Sequence, residues 1–313
     1  MQKVLVTGGA GFIGSHLCEK LLVDGYQVVC VDNLITGSKK NIENLLDNPN
    51  FQFIEMDVTK SPEHKPEGID YIFHLASPAS PIDYQEKPEE TLLANSAGSL
   101  NILNLAKDLK AKVLIASTSE VYGDPLEHPQ KETYWGNVNS FGPRSCYDES
   151  KRFAEAATYV FLHKYDLDAR IIRIFNTYGP KMQKDDGRVV SNFINQAINN
   201  EPITIYGDGK QTRSFCFVSD LVDGICKAMF ENNTKGEVFN LGNPGEFTML
   251  ELADKVKNLT NSNSDIVYKD LPADDPKQRK PDITKSKTVL GWEPKVNLDE
   301  GLQKTIEYYK SFD

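Results

Sequence analysis

Tyr147 and Lys151 stand four residues apart, a spacing that puts both on one face of a helix. A lysine ammonium beside a phenol favours the phenolate, and should draw the tyrosine below its usual pKa of about 10. A tyrosine poised in that way takes a proton from an alcohol near neutral pH. That is half of an alcohol oxidation; the other half is a hydride acceptor. Alone, Tyr-x-x-x-Lys is also the pattern of a solvated helix face, so its meaning depends on what accompanies it. The stretch that carries the pair opens with Ser117-Thr118-Ser119-Glu120 and closes with Tyr147-Asp148-Glu149-Ser150-Lys151.

A site for the acceptor lies at the N-terminus. Lys3 to Thr7 is a short apolar strand, and Gly8, Gly11 and Gly14 follow it as G-x-x-G-x-x-G before a helical pattern from Ser15 to Asp24. Glycines there permit a tight turn, let backbone approach a pyrophosphate, and let the helix pack close to the sheet. The helix N-terminus adds N–H groups and partial positive charge. The next strand, Gln27 to Val31, ends in Asp32, which is 18 residues past Gly14. An acid at about that distance suits a ribose 2′-hydroxyl and repels a 2′-phosphate, which favours NAD over NADP. A turn-capping acid is the alternative for Asp32, and Lys39 and Lys40 leave some NADP tolerance open.

Bulk composition narrows the class. The chain has 313 residues, 39% of them hydrophobic, and a net charge of −10. That describes a globular protein and argues against a nucleic-acid or membrane-surface role, without excluding an anionic small molecule. The five cysteines (Cys18, Cys30, Cys146, Cys216, Cys226) are odd in number and scattered, and no pair has metal-ligand spacing. They read as thiols in a reducing compartment, and no metal is expected. No apolar run approaches the ~20 residues of a membrane span. With the first strand starting at residue 3, a signal peptide is not expected, and the expectation is cytoplasmic.

Strands are expected at 51–56, 69–75, 112–116 and 169–175, with a long helical pattern over 88–110. The two prolines at 78 and 81 should hold off that helix. Strand–helix alternation of this kind predicts an α/β fold: a doubly wound parallel sheet of Rossmann type. It should span residues 1–180. After 180 the alternation breaks down and turn signals multiply. Residues 181–313 read mainly as a smaller, mixed substrate domain, with segments such as 215–242 returning to the sheet. The polar, proline-rich stretch 270–282 reads as a surface loop.

Taken together, these residues resemble the extended short-chain dehydrogenase/reductase family over nearly the whole chain. Within it, the sequence is most similar to the UDP-glucuronate decarboxylases. The resembling stretches are His74 to Pro81, Ala116 to Asp124, Arg173 to Gly179, Gly187 to Phe193 and Arg279 to Asp282. Two departures stand out: Ser150 where Gly is expected, and Lys181 where Arg is usual. The resemblance implies that Tyr147 is the base at carbon 4 of the sugar. Lys151 would tune it and hold the nicotinamide ribose, and Thr118 would hydrogen-bond the reacting oxygen. Hydride passes to NAD, the 4-ketone lets the carboxylate leave as carbon dioxide, and hydride returns to give UDP-xylose. Related 4,6-dehydratases carry Asp-Glu where this chain has Ser119-Glu120. Glu120 is implied to lie near carbon 5, either relaying a proton or destabilising the carboxylate, and Arg279 to face the same end.

The same resemblance implies cofactor contacts from Gly8, Gly11, Phe12, Ile13, Gly14, Asp32, Asn33, Thr36 and Gly37. Asp57, Val58, Leu75 and Ser77 complete that set, with Tyr147 and Lys151. Asn176, Arg188, Tyr206 and Arg213 are implied to hold the UDP-sugar, with Arg279; for Arg188 the cofactor is the alternative. A homodimer joined through helices at 89–110 and 148–164 is also implied. Another nucleotide-sugar epimerase or 4,6-dehydratase on the same scaffold is the second reading. A non-catalytic NAD-binding protein is the third, which the intact Thr118, Tyr147 and Lys151 disfavour.

Overall fold

The computed structural model describes residues 1–60, 66–271 and 278–311. Its main sheet holds β1 (Lys3–Thr7), β2 (Gln27–Asp32), β3 (Phe51–Glu55), β4 (Tyr71–His74), β5 (Lys112–Thr118) and β6 (Ala169–Ile174). A seventh strand, Val238–Leu241, joins the edge beside β6. Across the sheet the order is Val238–Leu241, β6, β5, β4, β1, β2, β3, every pairing being parallel.

Successive residues of a strand face opposite ways. Val4, Val6, Val28, Cys30, Leu114 and Ala116 enter one core, with side chains of the Phe12–Val23 and Val218–Phe230 helices. Leu5, Val29, Val31, Val113 and Ile115 enter the other, with side chains of the Ser99–Leu109 and Ser145–Tyr165 helices. Because both faces are covered, these strands read as continuous apolar runs. β1 lies between β2 and β4, so the chain works outward to β3 and then crosses back past β1. Such a reversal opens a crevice at the carboxyl ends of the strands. Gly8 follows β1, Ala76 lies just after β4, and Thr118 ends β5.

Three local features differ from the sequence expectation. Pro81, expected to delay a helix, opens one at Pro81–Glu86; the Ser80 hydroxyl caps it by accepting from the Asp83 N–H at 3.1 Å. At the first helical position a missing N–H costs nothing. The long 88–110 pattern is divided into Pro88–Leu93, a wide π turn at Ala94–Gly98, and Ser99–Leu109. Asn95 in that turn is buried and donates to Ser150 Oγ at 3.1 Å. Ser150 in turn donates to the Cys146 carbonyl at 2.6 Å, so the serine found where glycine is usual ties two helices together.

The third difference concerns 270–282. Residues 272–277 lie outside the described residues. Gln278–Arg279, however, is a strand, pairing in parallel with Thr212–Ser214, which also pairs antiparallel with Glu246–Thr248. Arg279 is only 2% exposed. A second small pair joins Ile203–Tyr206 to Ile266–Lys269. Lys181, the other departure, donates to Glu19 Oε1 at 2.6 Å and to the Asn41 carbonyl at 2.8 Å. Among the described residues no helix is long and apolar enough to cross a membrane, and no cluster of potential ligands could hold a metal. All five cysteines are free.

Candidate active site

A cleft of about 800 Å³ runs along the carboxyl ends of the strands. At one end is the glycine turn. Gly8 has φ +71°, and a Cβ there would meet the backbone of Leu75 and Ala76 at 2.8 Å. A Cβ on Gly14 would fall 2.0 Å from the Gly8 carbonyl oxygen. No side chain is therefore tolerated where the turn, the β4 end and the helix converge. Gly11 caps the Phe12–Val23 helix without a side-chain hydrogen bond, so its first-turn N–H groups are not claimed by a cap. Phe12 and Ile13 line the cleft beside them.

Asp32 closes β2 and is 7% exposed. One carboxylate oxygen accepts from the Ala10 N–H at 3.0 Å, the other from the Leu34 N–H at 2.8 Å. Burial pushes its pKa up, and these two N–H groups pull it back. Each oxygen keeps lone-pair capacity for a diol. Asn33, Thr36, Asp57, Val58, Leu75 and Ser77 also line the cleft. Gly37 does not; it packs behind Asp32, where a Cβ would lie 2.8 Å from the carboxylate. Lys39 is turned to Glu55 at 2.9 Å. A side-chain-free turn, a helix start and a diol-accepting acid fit a dinucleotide such as NAD.

The Thr118 hydroxyl accepts from the Glu120 N–H at 3.2 Å and so caps the Ser119–Tyr122 turn. The Ser145–Tyr165 helix presents Tyr147 and Lys151 to the cleft, each 6% exposed. Lys151 Nζ donates to the Ala116 carbonyl at 2.9 Å. The expected depression of the tyrosine is not what the geometry gives. Burial pushes Tyr147 up to about 12, against the lowering pull of the Thr118 hydroxyl. Burial also pulls Lys151 down to about 7. Removing water penalises both charged forms.

Next to this pair is a cluster of charge. Glu120 Oε1 accepts from Arg279 at 2.7 Å, and Oε2 accepts from Arg144. Burial alone would raise Glu120, but the two guanidiniums hold it down, to about 2. Arg279 also donates to Ser119 Oγ at 3.0 Å and to the Gly123 carbonyl at 2.8 Å. Ser117, by contrast, turns away and donates to Glu155 at 2.5 Å.

Asn176, Arg188, Arg213 and Tyr206 line the same cleft, and the Arg188 charge reaches Tyr147. Tyr206 is at its rim, 41% exposed. Arg188 Nε donates to Asp186 at 2.7 Å. Arg213 pairs in register with Arg279 across the small sheet, which brings the two arginines to adjoining positions.

Three residues of the site escaped the sequence reading. Nothing in the local sequence singles out Arg144, whose partner Glu120 is 24 residues upstream. Tyr84 stacks on Tyr147 with ring centres 5.0 Å apart and planes 6° from parallel. Asp148, in the first turn of the helix, is buried, with Oδ1 lacking any hydrogen-bond partner. Burial, then Glu120, raises it to about 7. A phenol, a hydroxyl and an ammonium beside a dinucleotide cradle can oxidise an alcohol. The adjoining arginines and carboxylate can handle a negatively charged group in the same cleft.

Residues 4–242 match the NAD dependent epimerase/dehydratase family. The chain is 55% identical over 310 residues to UDP-glucuronic acid decarboxylase 3 of Arabidopsis thaliana, covering 99% of this chain and 89% of that protein. It is 54% identical over 309 residues to UDP-glucuronic acid decarboxylase 1 of the same plant, covering 99% and 70%. Among solved structures, it is similar to UDP-glucuronic acid 4-epimerase from Bacillus cereus in complex with UDP-glucuronic acid and NAD. There the TM-score is 0.90, with 30% identity and all of both chains covered.

Proposed function

From the premise that the chain belongs to the NAD-dependent epimerase/dehydratase family, we propose that it converts UDP-glucuronate to UDP-xylose and carbon dioxide. The observation that carries this is Glu120, held by Arg279 and Arg144 beside Ser119, in the cleft that also holds Thr118 and Tyr147. NAD supplies a reversible two-electron oxidation at carbon 4 of the sugar. Gly8, Gly11, Gly14, Asp32 and their neighbours would hold it.

The protein's own residues then have distinct tasks. Tyr147 takes the proton of the carbon 4 hydroxyl, and the Thr118 hydroxyl aligns that oxygen. Lys151 supplies the cation that a phenolate needs. Once carbon 4 is a ketone, the carboxylate on carbon 5 is β to it, and the C–C bond electrons can flow into the carbonyl. Glu120 and Arg279 stand by that bond, where a proton must reach carbon 5 after carbon dioxide leaves. Asn176 and Arg213 would grip the nucleotide diphosphate, whose oxygens suit a guanidinium, with Tyr206 by the uridine and Arg188 holding either the sugar nucleotide or the cofactor.

The wider organisation follows. Residues 1–180 with the Val238–Leu241 region would form the cofactor domain, and most of 181–313 the sugar-nucleotide domain. Leu92, Leu93, Phe153, Tyr159 and Val160 are each more than 40% exposed on adjoining helices, which supports a homodimer through that face. Five unpaired thiols support a reducing, cytoplasmic setting. Epimerisation is the second reading, supported by the likeness to the 4-epimerase. Incubation with carboxyl-labelled UDP-glucuronate separates the two. Labelled carbon dioxide supports decarboxylation, and its absence with UDP-galacturonate formed supports epimerisation.

A further inference from the structure

Arg279 and Arg144 both bind Glu120, but they are not equivalent. Arg279 is almost fully enclosed, and its terminal nitrogens serve Glu120, Ser119 Oγ and the Gly123 carbonyl. Its Nε is buried with no hydrogen-bond partner. A group whose terminal donors are engaged by the protein is built to hold Glu120 in place.

Arg144 is built differently. Both line the cleft, but the Arg144 side chain is 13% exposed against 2% for Arg279, and it holds the oxygen of Glu120 that Arg279 does not. It is the N-cap residue of the Ser145–Tyr165 helix, three positions before Tyr147. Its guanidinium carbon lies 5.9 Å from the centre of the Tyr84 ring, and Tyr84 stacks on Tyr147. Backbone and ring stack together therefore fix Arg144 relative to the tyrosine hydroxyl. In a hexuronate the carboxylate is borne by the carbon next to carbon 4. A substrate whose carbon 4 hydroxyl meets Tyr147 carries its carboxylate only a few bonds away.

We propose that Arg144, and not Arg279, is the residue that recognises the sugar carboxylate, its planar guanidinium being shared between Glu120 and the incoming anion. This rests on the UDP-glucuronate reading above.

The test measures binding calorimetrically with full-length protein in a Tyr147→Phe background, where substrate is not consumed. UDP-glucuronate and UDP-xylose are compared, since they differ by the carboxylate alone. Adding Arg144→Gln should weaken UDP-glucuronate about 10- to 100-fold while leaving UDP-xylose within about threefold, as expected for loss of a polar contact specific to one ligand. Unchanged UDP-glucuronate affinity overturns the assignment. If Arg144→Gln binds neither ligand, Arg144→Lys decides. A loss confined to UDP-glucuronate supports the assignment, and equal affinity changes for both ligands overturn it. Wild-type protein that releases no carbon dioxide from UDP-glucuronate overturns the functional reading and this one with it; the other negative results remove Arg144 alone.

Discussion

Lys151 Nζ lies 5.8 Å from the centre of the Tyr147 ring and spends one hydrogen on the Ala116 carbonyl. The lysine is thus anchored to β5, the strand that also ends in Thr118, and the phenol stands over both. Helix spacing brought the pair to one face; the carbonyl of the neighbouring strand fixes where the ammonium points.

Tyr147→Phe removes the acid–base group and keeps the ring that stacks on Tyr84. Turnover should fall about 10²- to 10⁴-fold, the usual contribution of a positioned proton-transfer group. UDP-xylose affinity should stay within about threefold. Steady-state kinetics with a binding titration checks both, and near-normal turnover would remove Tyr147 from its assigned role.

Asp32→Ala deletes both oxygens that accept from Ala10 and Leu34 and would face the ribose. NAD affinity should fall about 10- to 100-fold, the worth of one or two hydrogen bonds to a charged group. Because the change also removes a negative charge, discrimination against NADP should narrow. Titration of each dinucleotide reads this directly, and an unchanged preference would leave Asp32 as a turn cap.

Asp148 gives a pH signature. In the fold it keeps its proton up to about pH 7, against an ordinary value of 3.8. Between those values the folded chain binds more protons than the unfolded one. Its contribution to stability is therefore full below pH 3.8 and is lost as pH rises through 7. Asp148→Asn keeps the shape without the titration. In urea melts from about pH 4 to 8, the wild type should lose stability relative to the variant as pH rises, then level off above about 7. A difference that is flat or grows with pH would contradict a buried, proton-holding Asp148.

The homodimer is tested by light scattering. Wild-type protein should have twice the mass of one chain, and Tyr159→Lys with Val160→Glu should reduce it to a monomer, since paired charges on a desolvated apolar face are costly. A wild-type monomer would remove the interface.

Much of this site was legible in the sequence because its parts are short-range. The glycine turn, Asp32 at the end of a strand, and Tyr147 with Lys151 all depend on spacing within one strand or helix. What was not legible depends on distant segments meeting. Arg279 looked like a loop residue because the pairing of Gln278–Arg279 with Thr212–Ser214 joins segments more than sixty residues apart. Arg144 and Glu120 meet across the intervening loop, and nothing local marks them as partners. The tyrosine's acidity was misjudged for another reason: sequence shows which charges are near, but not how completely water is excluded around them.

The most direct test of the central claim is conversion of UDP-glucuronate with NAD in deuterium oxide, followed by proton NMR. The expected product is UDP-xylose carrying one deuteron at carbon 5, protium at carbon 4, and no net NADH. That pattern requires solvent protonation after carbon dioxide leaves and return of the original carbon 4 hydrogen. Unchanged substrate, or a product that keeps its carboxylate, would contradict it.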